Sequence, residues 1–493
     1  MTSRIAPDWL ARRAELSPER VALRSGETST SYRAWNDRVT QTARALLERG
    51  VKPGDRVAIL AGNSETWLDV WHACGKMGAV LQALNWRLTP DALGQILGRG
   101  RPVLLLVDQT FAETGAQIAG SAPLEQLDAL VTARDALSSA PLETPRPRLE
   151  DPWVLCYTGG TTGLPKAAVL THENILWNAI GTAASWELHA GCTALLNAPL
   201  FHTGGMNVFT APLIWVGGQS IVCTGFDVEQ VLEHVDAGDI THFFGVPTMF
   251  TMIQSHERFD QTDFSKLELV ISGGAPCPQP IFERFWAKDL DFKTGYGLTE
   301  AGPNNFWLPR EQTRTKPGAV GYPLLHVEAR LVDEDGAAAE GSDVSGELWL
   351  RGPHVVPGYF ENPTASAEAI DEEGWLHTGD LAHRDAEGCY KIVGRKKDMY
   401  ISGGENVYPA EIESVLHGHP SVIEAAVIGI PDPRWGEVGK AFVVTKSELD
   451  EAELSKWVEG KLAKYQRPRA YAFVDALPKT GAGKIDKKAL TRD

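Results

Sequence analysis

The stretch YTGGTTGLPKA, residues 157–167, leaves the apolar run WVLCYT and spends its next residues on glycines, threonines, a proline and a lysine. Glycines allow close backbone approach and positive φ, and threonines add hydroxyl donors. Such a loop suits phosphate oxygens, with Lys166 as a point charge. It is not the Gly-Lys-Ser/Thr loop that opens a helix, because Pro165 precedes the lysine and AAVL, a second strand pattern, follows. A glycine-rich hairpin without a ligand also fits. GYGLTE (295–300) offers a flat ring, a hydroxyl and a carboxylate, Glu300, able to hold Mg²⁺; a surface turn accounts for it equally. WLHTGD (375–380) places Asp380 after a tight turn, where it can accept two hydroxyl hydrogen bonds from a ribose or close an Asx turn. PLFHTGG (199–205) sets His202 at the carboxyl end of a strand, a place that also suits a structural histidine. LPKTGAGKID (477–486) carries Lys479 and Lys484 in a glycine-rich loop of the kind often simply solvated.

The elements that must position these groups follow from periodicity. From Thr30 to about Phe292, helical patterns alternate with short apolar runs. TSYRAWNDRVTQTARALLERG, RVAILA, PVLLLVD, TALLNAPL, SIVCTG, THFFGVP and LELVISGG follow this alternation, with Asn63 or Ser64, and Thr89, as helix caps. Strands buried on both faces between helices predict a doubly wound α/β architecture, with ligands at the strands' carboxyl ends. Residues 112–150 read as surface helix and linker without strand signal. From about 317 the pattern turns β-rich, ending in the predicted hairpin HRDAEGCYKIVG. After GRKKDMYISGG, a helix, two strands, a helix over AELSKWVEGKLAKY and a last strand predict a small α+β unit of about 95 residues.

Composition narrows the functional classes. With 493 residues, 43% hydrophobic and 23% charged, the chain can bury several cores. A net charge of −17 argues against nucleic acid or an anionic membrane as partner, so a polyanionic ligand must meet a local site. The six cysteines are scattered without CxxC, which disfavours disulfides or zinc and fits a reducing cytoplasm. No signal peptide or run of about 18 apolar residues is found. Oligomeric state is open, a homodimer included.

Together and in this order, TGGTTGLPK, GYGLTE, WLHTGD, GRKKDMYISGGENVYPAEIE and PKTGAGKID resemble the ANL superfamily of adenylate-forming enzymes, over essentially the whole chain. The resemblance implies a large N-terminal part (1–394), a hinge (395–398) centred on Lys397, and a mobile C-terminal part (399–493). It implies ATP, Mg²⁺ and coenzyme A as ligands. Thr158, Gly159, Gly160, Thr161, Thr162, Gly163 and Lys166 would hold the β- and γ-phosphates. Gly274, Ala275 and Pro276, with Tyr296 and Gly297, would frame adenine. Thr299 would meet the α-phosphate, Glu300 the magnesium, Asp380 the ribose, and Arg395 ribose or phosphate. Lys484 would carry the first step, and Gly403 and Gly404 would admit the pantetheine chain. Gly159 stands where serine is frequent and Ala167 where glycine is frequent.

His202 within PLFHTGG resembles the gate of the CoA-forming branch, so an acid–CoA ligase is expected ahead of an enzyme loading a carrier protein or an inactive regulatory protein. His202, Thr203, Gly204, Val246 and Gly273 are the expected acid pocket, with Phe209, Met206, Met249 and Phe306 as apolar wall. Trp177 and Trp215 are candidates to narrow it, and Asn304 and Asn305 read as turn residues. That lining points first to a medium- or long-chain fatty acid, with an aryl acid of succinylbenzoate or hydroxycinnamate type close behind.

Overall fold

The computed structural model describes residues 4–158, 164–333, 335–479 and 485–490. Two sheets form the scaffold. The first is six-stranded, in the order Leu124–Gln126, Leu104–Val107, Arg56–Leu60, Val80–Ala83, Pro152–Thr158 and Lys166–Thr171. All its neighbours run parallel except the last pair, the hairpin carrying the glycine-threonine loop. Its strands are buried on both faces: Val57 and Ile59 join one apolar cluster, Ala58 and Leu60 another. That alternation explains why the sequence shows near-continuous apolar runs here.

The second sheet is seven-stranded, in the order Phe292–Thr294, Leu269–Ser272, His242–Gly245, Thr193–Leu196, Gln219–Val222, Val21–Ser25 and Thr28–Ser31, parallel but for its last pair. Three helices start at polar caps. Ser31 opens Tyr32–Glu48, Ser64 opens Glu65–Met77 and Thr89 opens Pro90–Gly100, each side chain accepting a first-turn N–H. Leu124–Gln126 is a strand inside the segment read as helix and linker. It is only three residues long and gains its place by pairing with Leu104–Val107.

A four-stranded antiparallel sheet follows: Glu328–Val332, Val344–Arg351, Leu376–Arg384 and Tyr390–Arg395. Its last two strands are the predicted hairpin. The 3₁₀ turn Lys396–Asp398 leads from it to a five-stranded sheet built from Tyr400–Ser402, Glu405–Val407, Val422–Asp432, Gly436–Thr445 and Ala470–Phe473. The helix read over AELSKWVEGKLAKY stops early, at Glu451–Val458, and Gly460 just beyond takes a φ of +81°.

Candidate functional site

Thr158, Gly273 and Tyr296 lie at or just past the carboxyl ends of parallel strands. Thr158 closes its strand opposite Lys166 in an antiparallel pair. Gly159, Gly160, Thr161, Thr162 and Gly163 lie outside the described residues, as does Lys484. His202 caps the Thr203–Asn207 helix, its Nδ1 accepting the Gly204 N–H at 3.2 Å. Gly273 follows the Leu269–Ser272 strand, Gly274 takes φ +82°, and Ala275 and Pro276 are exposed. At Gly297 a Cβ would stand 2.2 Å from the Pro303 backbone, so this turn requires glycine.

Two polar clusters result. In the first, the Tyr296 hydroxyl donates to Asp380 Oδ2 at 2.7 Å, and Arg395 Nε pairs with Asp380 Oδ1 at 2.8 Å. Asp380 and Arg395 are cross-strand partners in the hairpin, so β pairing brings them together. Asp380 lies within the strand Leu376–Arg384 rather than after a turn: Gly379, at φ +67°, kinks the strand there without ending it. Burial, reinforced by the Asp380 carboxylate, pushes the Tyr296 hydroxyl far above its ordinary pKa, which keeps it a donor.

In the second cluster the Tyr359 hydroxyl donates to Glu300 Oε1 at 2.7 Å, while the Lys166 ammonium sits 5.1 Å from the Tyr359 ring centroid. A stretch outside the regular elements makes this possible. Ala168 bridges to Tyr359, the Val169 N–H donates to the Gly358 carbonyl, and the Phe360 N–H donates to the Ala167 carbonyl. The Thr299–Ala301 turn packs against the Lys166–Thr171 strand. Beneath it lies Cys156, its thiol pushed up to about 12 by burial, which makes it an inert packing group rather than a nucleophile.

The donor set fits magnesium. A single carboxylate beside a phosphate loop is how Mg²⁺ is held, since it takes one or two carboxylates and completes its shell with phosphate oxygens and water. Among the described residues no group of three or more His, Cys, Asp or Glu converges as a metal cage. No helix among them is long and apolar enough to cross a membrane.

A family profile described as AMP-binding enzyme matches residues 10–360, and one described as AMP-binding enzyme C-terminal domain matches 411–484. The chain belongs to the AMP-binding enzyme family. This places it in the adenylate-forming superfamily that the motifs resemble, in the acyl/aryl-CoA synthetase branch. The AMP-binding enzymes it is similar to include a feruloyl-CoA synthase from Amycolatopsis sp, 40% identical over 98% of each chain. An indoleacetate–CoA ligase from Aromatoleum aromaticum is 34% identical over 97% of this chain and 96% of that one. Among solved structures, o-succinylbenzoate coenzyme A synthetase from Bacillus subtilis, in complex with ATP and magnesium ion, superposes with a TM-score of 0.90. It is 30% identical and covers 98% of this chain and 99% of that one.

In this AMP-binding enzyme several residues stand apart from their sequence reading. Tyr359 was not singled out, since only its bridge to Ala168 reveals it. Trp177 stacks on His326 at 5.8 Å and Trp215 packs against Trp9 at 6.0 Å. Asn304 and Asn305 are buried structural groups. The Asn304 amide donates to Thr182 and to the Val208 carbonyl, and the Asn305 amide to the Gly302 carbonyl. Gly403 and Gly404 take φ +64° and +86° in an exposed turn, and nothing lies within 4 Å of a Cβ built on Gly404.

Proposed function

We propose that the protein is an ATP-dependent, AMP-forming acid–CoA ligase whose acid is aromatic. The observation that supports the chemistry best is the contiguity of the two clusters. Glu300, a carboxylate braced by Tyr359, stands against the Lys166–Thr171 strand, four residues after Tyr296, which holds Asp380.

A carboxylate is a poor acyl donor because its leaving group would be oxide. In the first step an acid oxygen attacks the α-phosphorus of ATP, the bond to the β-phosphate breaks, and pyrophosphate leaves. In the second, the CoA thiol attacks the acyl carbon, AMP departs with the bond's electrons, and the thiol proton is released. Thr158, Gly159, Gly160, Thr161, Thr162, Gly163 and Lys166 hold the β- and γ-phosphates. Gly274, Ala275, Pro276, Tyr296 and Gly297 frame adenine. Thr299 meets the α-phosphate, while Asp380 and Arg395 take the ribose. Glu300 holds Mg²⁺, which supplies charge neutralisation at the phosphates when bound. Lys484 enters for the first step. It departs when the C-terminal unit (399–493) turns about Lys397, so that Gly403 and Gly404 line the thiol's path beside His202.

Tyr359 is a positioning residue here. Tyr359→Phe keeps the ring beside Lys166 and removes the donor to Glu300. It is expected to lower kcat/KM roughly 10-fold or more, as loss of a hydrogen bond to a charged group does. A Mg²⁺ titration of wild type and variant checks it: the variant's half-saturating magnesium should rise, and an unchanged titration would count against the role.

For the acid, the pocket behind Gly204 is closed by rings. Phe209 is 4% exposed, and His242 and Trp186 meet it edge-on at 5.5 and 5.8 Å. A flat, short acid fits such a pocket better than an alkyl chain, and the feruloyl, indoleacetate and succinylbenzoate specificities of the relatives support an aromatic acid over the fatty acid favoured by composition of the lining. AMP release measured over cinnamates, arylacetates, benzoates and C6–C16 alkanoates tests the reading. Aromatic acids are expected to lead in kcat/KM by at least about 10-fold. Preference for the long alkanoates would overturn the aromatic assignment.

A further inference from the structure

Asn197 directly follows the Thr193–Leu196 strand, on the same carboxyl-end rim that carries His202. Its side chain is 3% exposed, and among the described residues neither its Oδ1 nor its Nδ2 has a hydrogen-bond partner. A buried amide with both ends unmatched is rare in native interiors unless something other than protein completes it. Asn304 shows the contrast, its Nδ2 donating to Thr182 and to main-chain carbonyls.

Asn197 is among the residues lining a cavity of about 10 Å³, with Gly204, Val208, Phe209 and Phe244. That is room for one water-sized group. Thr210 also borders it, but its hydroxyl is committed to the Gly205 carbonyl at 2.7 Å. The Phe244 ring borders this cavity and packs close to Gly204 and Gly273, two residues of the expected acid pocket. It lies 3.3 Å from where a Cβ on Gly204 would stand and 3.1 Å from one on Gly273. Any larger residue at either glycine would press on that ring, so the distal end of an acid lying along the two glycines reaches the cavity past its edge.

We propose that Asn197 is a specificity-determining residue that recognises a hydroxyl on the ring of the acid, Oδ1 accepting its proton and Nδ2 donating to its oxygen. A hydroxyl is both donor and acceptor, which is what the two orphaned amide atoms require. The proposal rests on the aromatic-acid reading above. The competing occupant is a resident water that plays no part in choosing the acid.

The test compares kcat/KM for ring-hydroxylated cinnamates and benzoates with their unhydroxylated counterparts, in wild type, Asn197→Leu and Asn197→Ser. Each preference is a ratio within one preparation, so partial loss of folded protein cancels. Wild type should favour the hydroxylated acid by about 10–100-fold at one ring position, the penalty for leaving a buried amide unmatched. Asn197→Leu should bring the ratio to about unity, and Asn197→Ser should retain part of the preference. A wild-type ratio near unity, or one unchanged in Asn197→Leu, overturns the proposal and leaves the amide to a resident water. Turnover of alkanoates with no aromatic acid accepted would bring down the aromatic reading and this inference together.

Discussion

Lys484→Ala is expected to slow formation of the acyl-adenylate by about 10²–10³-fold, the cost of removing one preorganised donor from a developing anion. Transfer from preformed acyl-adenylate to coenzyme A should stay within a few-fold of normal. The reason is charge. Attack of a carboxylate on an α-phosphate drives anion onto anion, in a protein whose net charge is −17, so an ammonium must be delivered locally. The thiol step makes no such demand. Although Lys484 lies outside the described residues, the base of its loop does not: Lys479 bridges to Ile485 and pairs with Glu424 at 2.7 Å. Leu477 and Leu490 pin both flanks into one apolar cluster. The described residues on either side of it are therefore anchored to the C-terminal sheet. Pyrophosphate exchange and single-turnover thioester formation separate the steps. Equal slowing of both would remove the lysine from its assigned part.

The second large effect is on stability. Acidification from pH 7.5 to 5.5 should lower the free energy of unfolding by several kcal/mol. His72 and His354 are held neutral by burial with pKa values lowered to about 3, and His172 and His242 with values lowered to about 4. All four are buried, at 6% exposure or less. In the unfolded chain each would titrate near 6.5. Between that value and 4 the unfolded state binds protons the folded state refuses, so stability falls as pH falls and is level above about 7. Each histidine contributes about 1.4 kcal/mol per pH unit, and the four together about 5 kcal/mol one unit below 6.5. That is a large share of a typical folding free energy. Urea midpoints at pH 7.5 and 5.5 measure it, and coincident midpoints would refute the account.

The parts of the site legible in sequence are those fixed by local pattern. The strands Pro152–Thr158 and Lys166–Thr171 show as two apolar runs around a glycine-rich stretch, and the hairpin after Asp380 as strand patterns around a polar turn, but not the pairing of Asp380 with Arg395. Ser64 and Thr89 show as caps because they precede helical periodicity. What escaped depends on contacts between distant segments. Tyr359 gains its place from a bridge to Ala168, and the Leu124–Gln126 strand from an existing neighbour. Trp177 and Trp215 have the bulk to wall a pocket, but only the fold shows which rings they pack against. Asn197 carried no signal at all. An asparagine after a strand is ordinary until its two polar atoms are seen without partners.

The bridge at Tyr359 also bears on solubility. The hairpin's outer strand, Lys166–Thr171, would otherwise offer a row of unsatisfied amides and carbonyls at the margin of its sheet, as inviting to a second molecule as to any ligand. Gly358–Phe360 occupy part of that margin from within the same chain. The segment that steadies a carboxylate thus also shields the protein from sticking to its own copies.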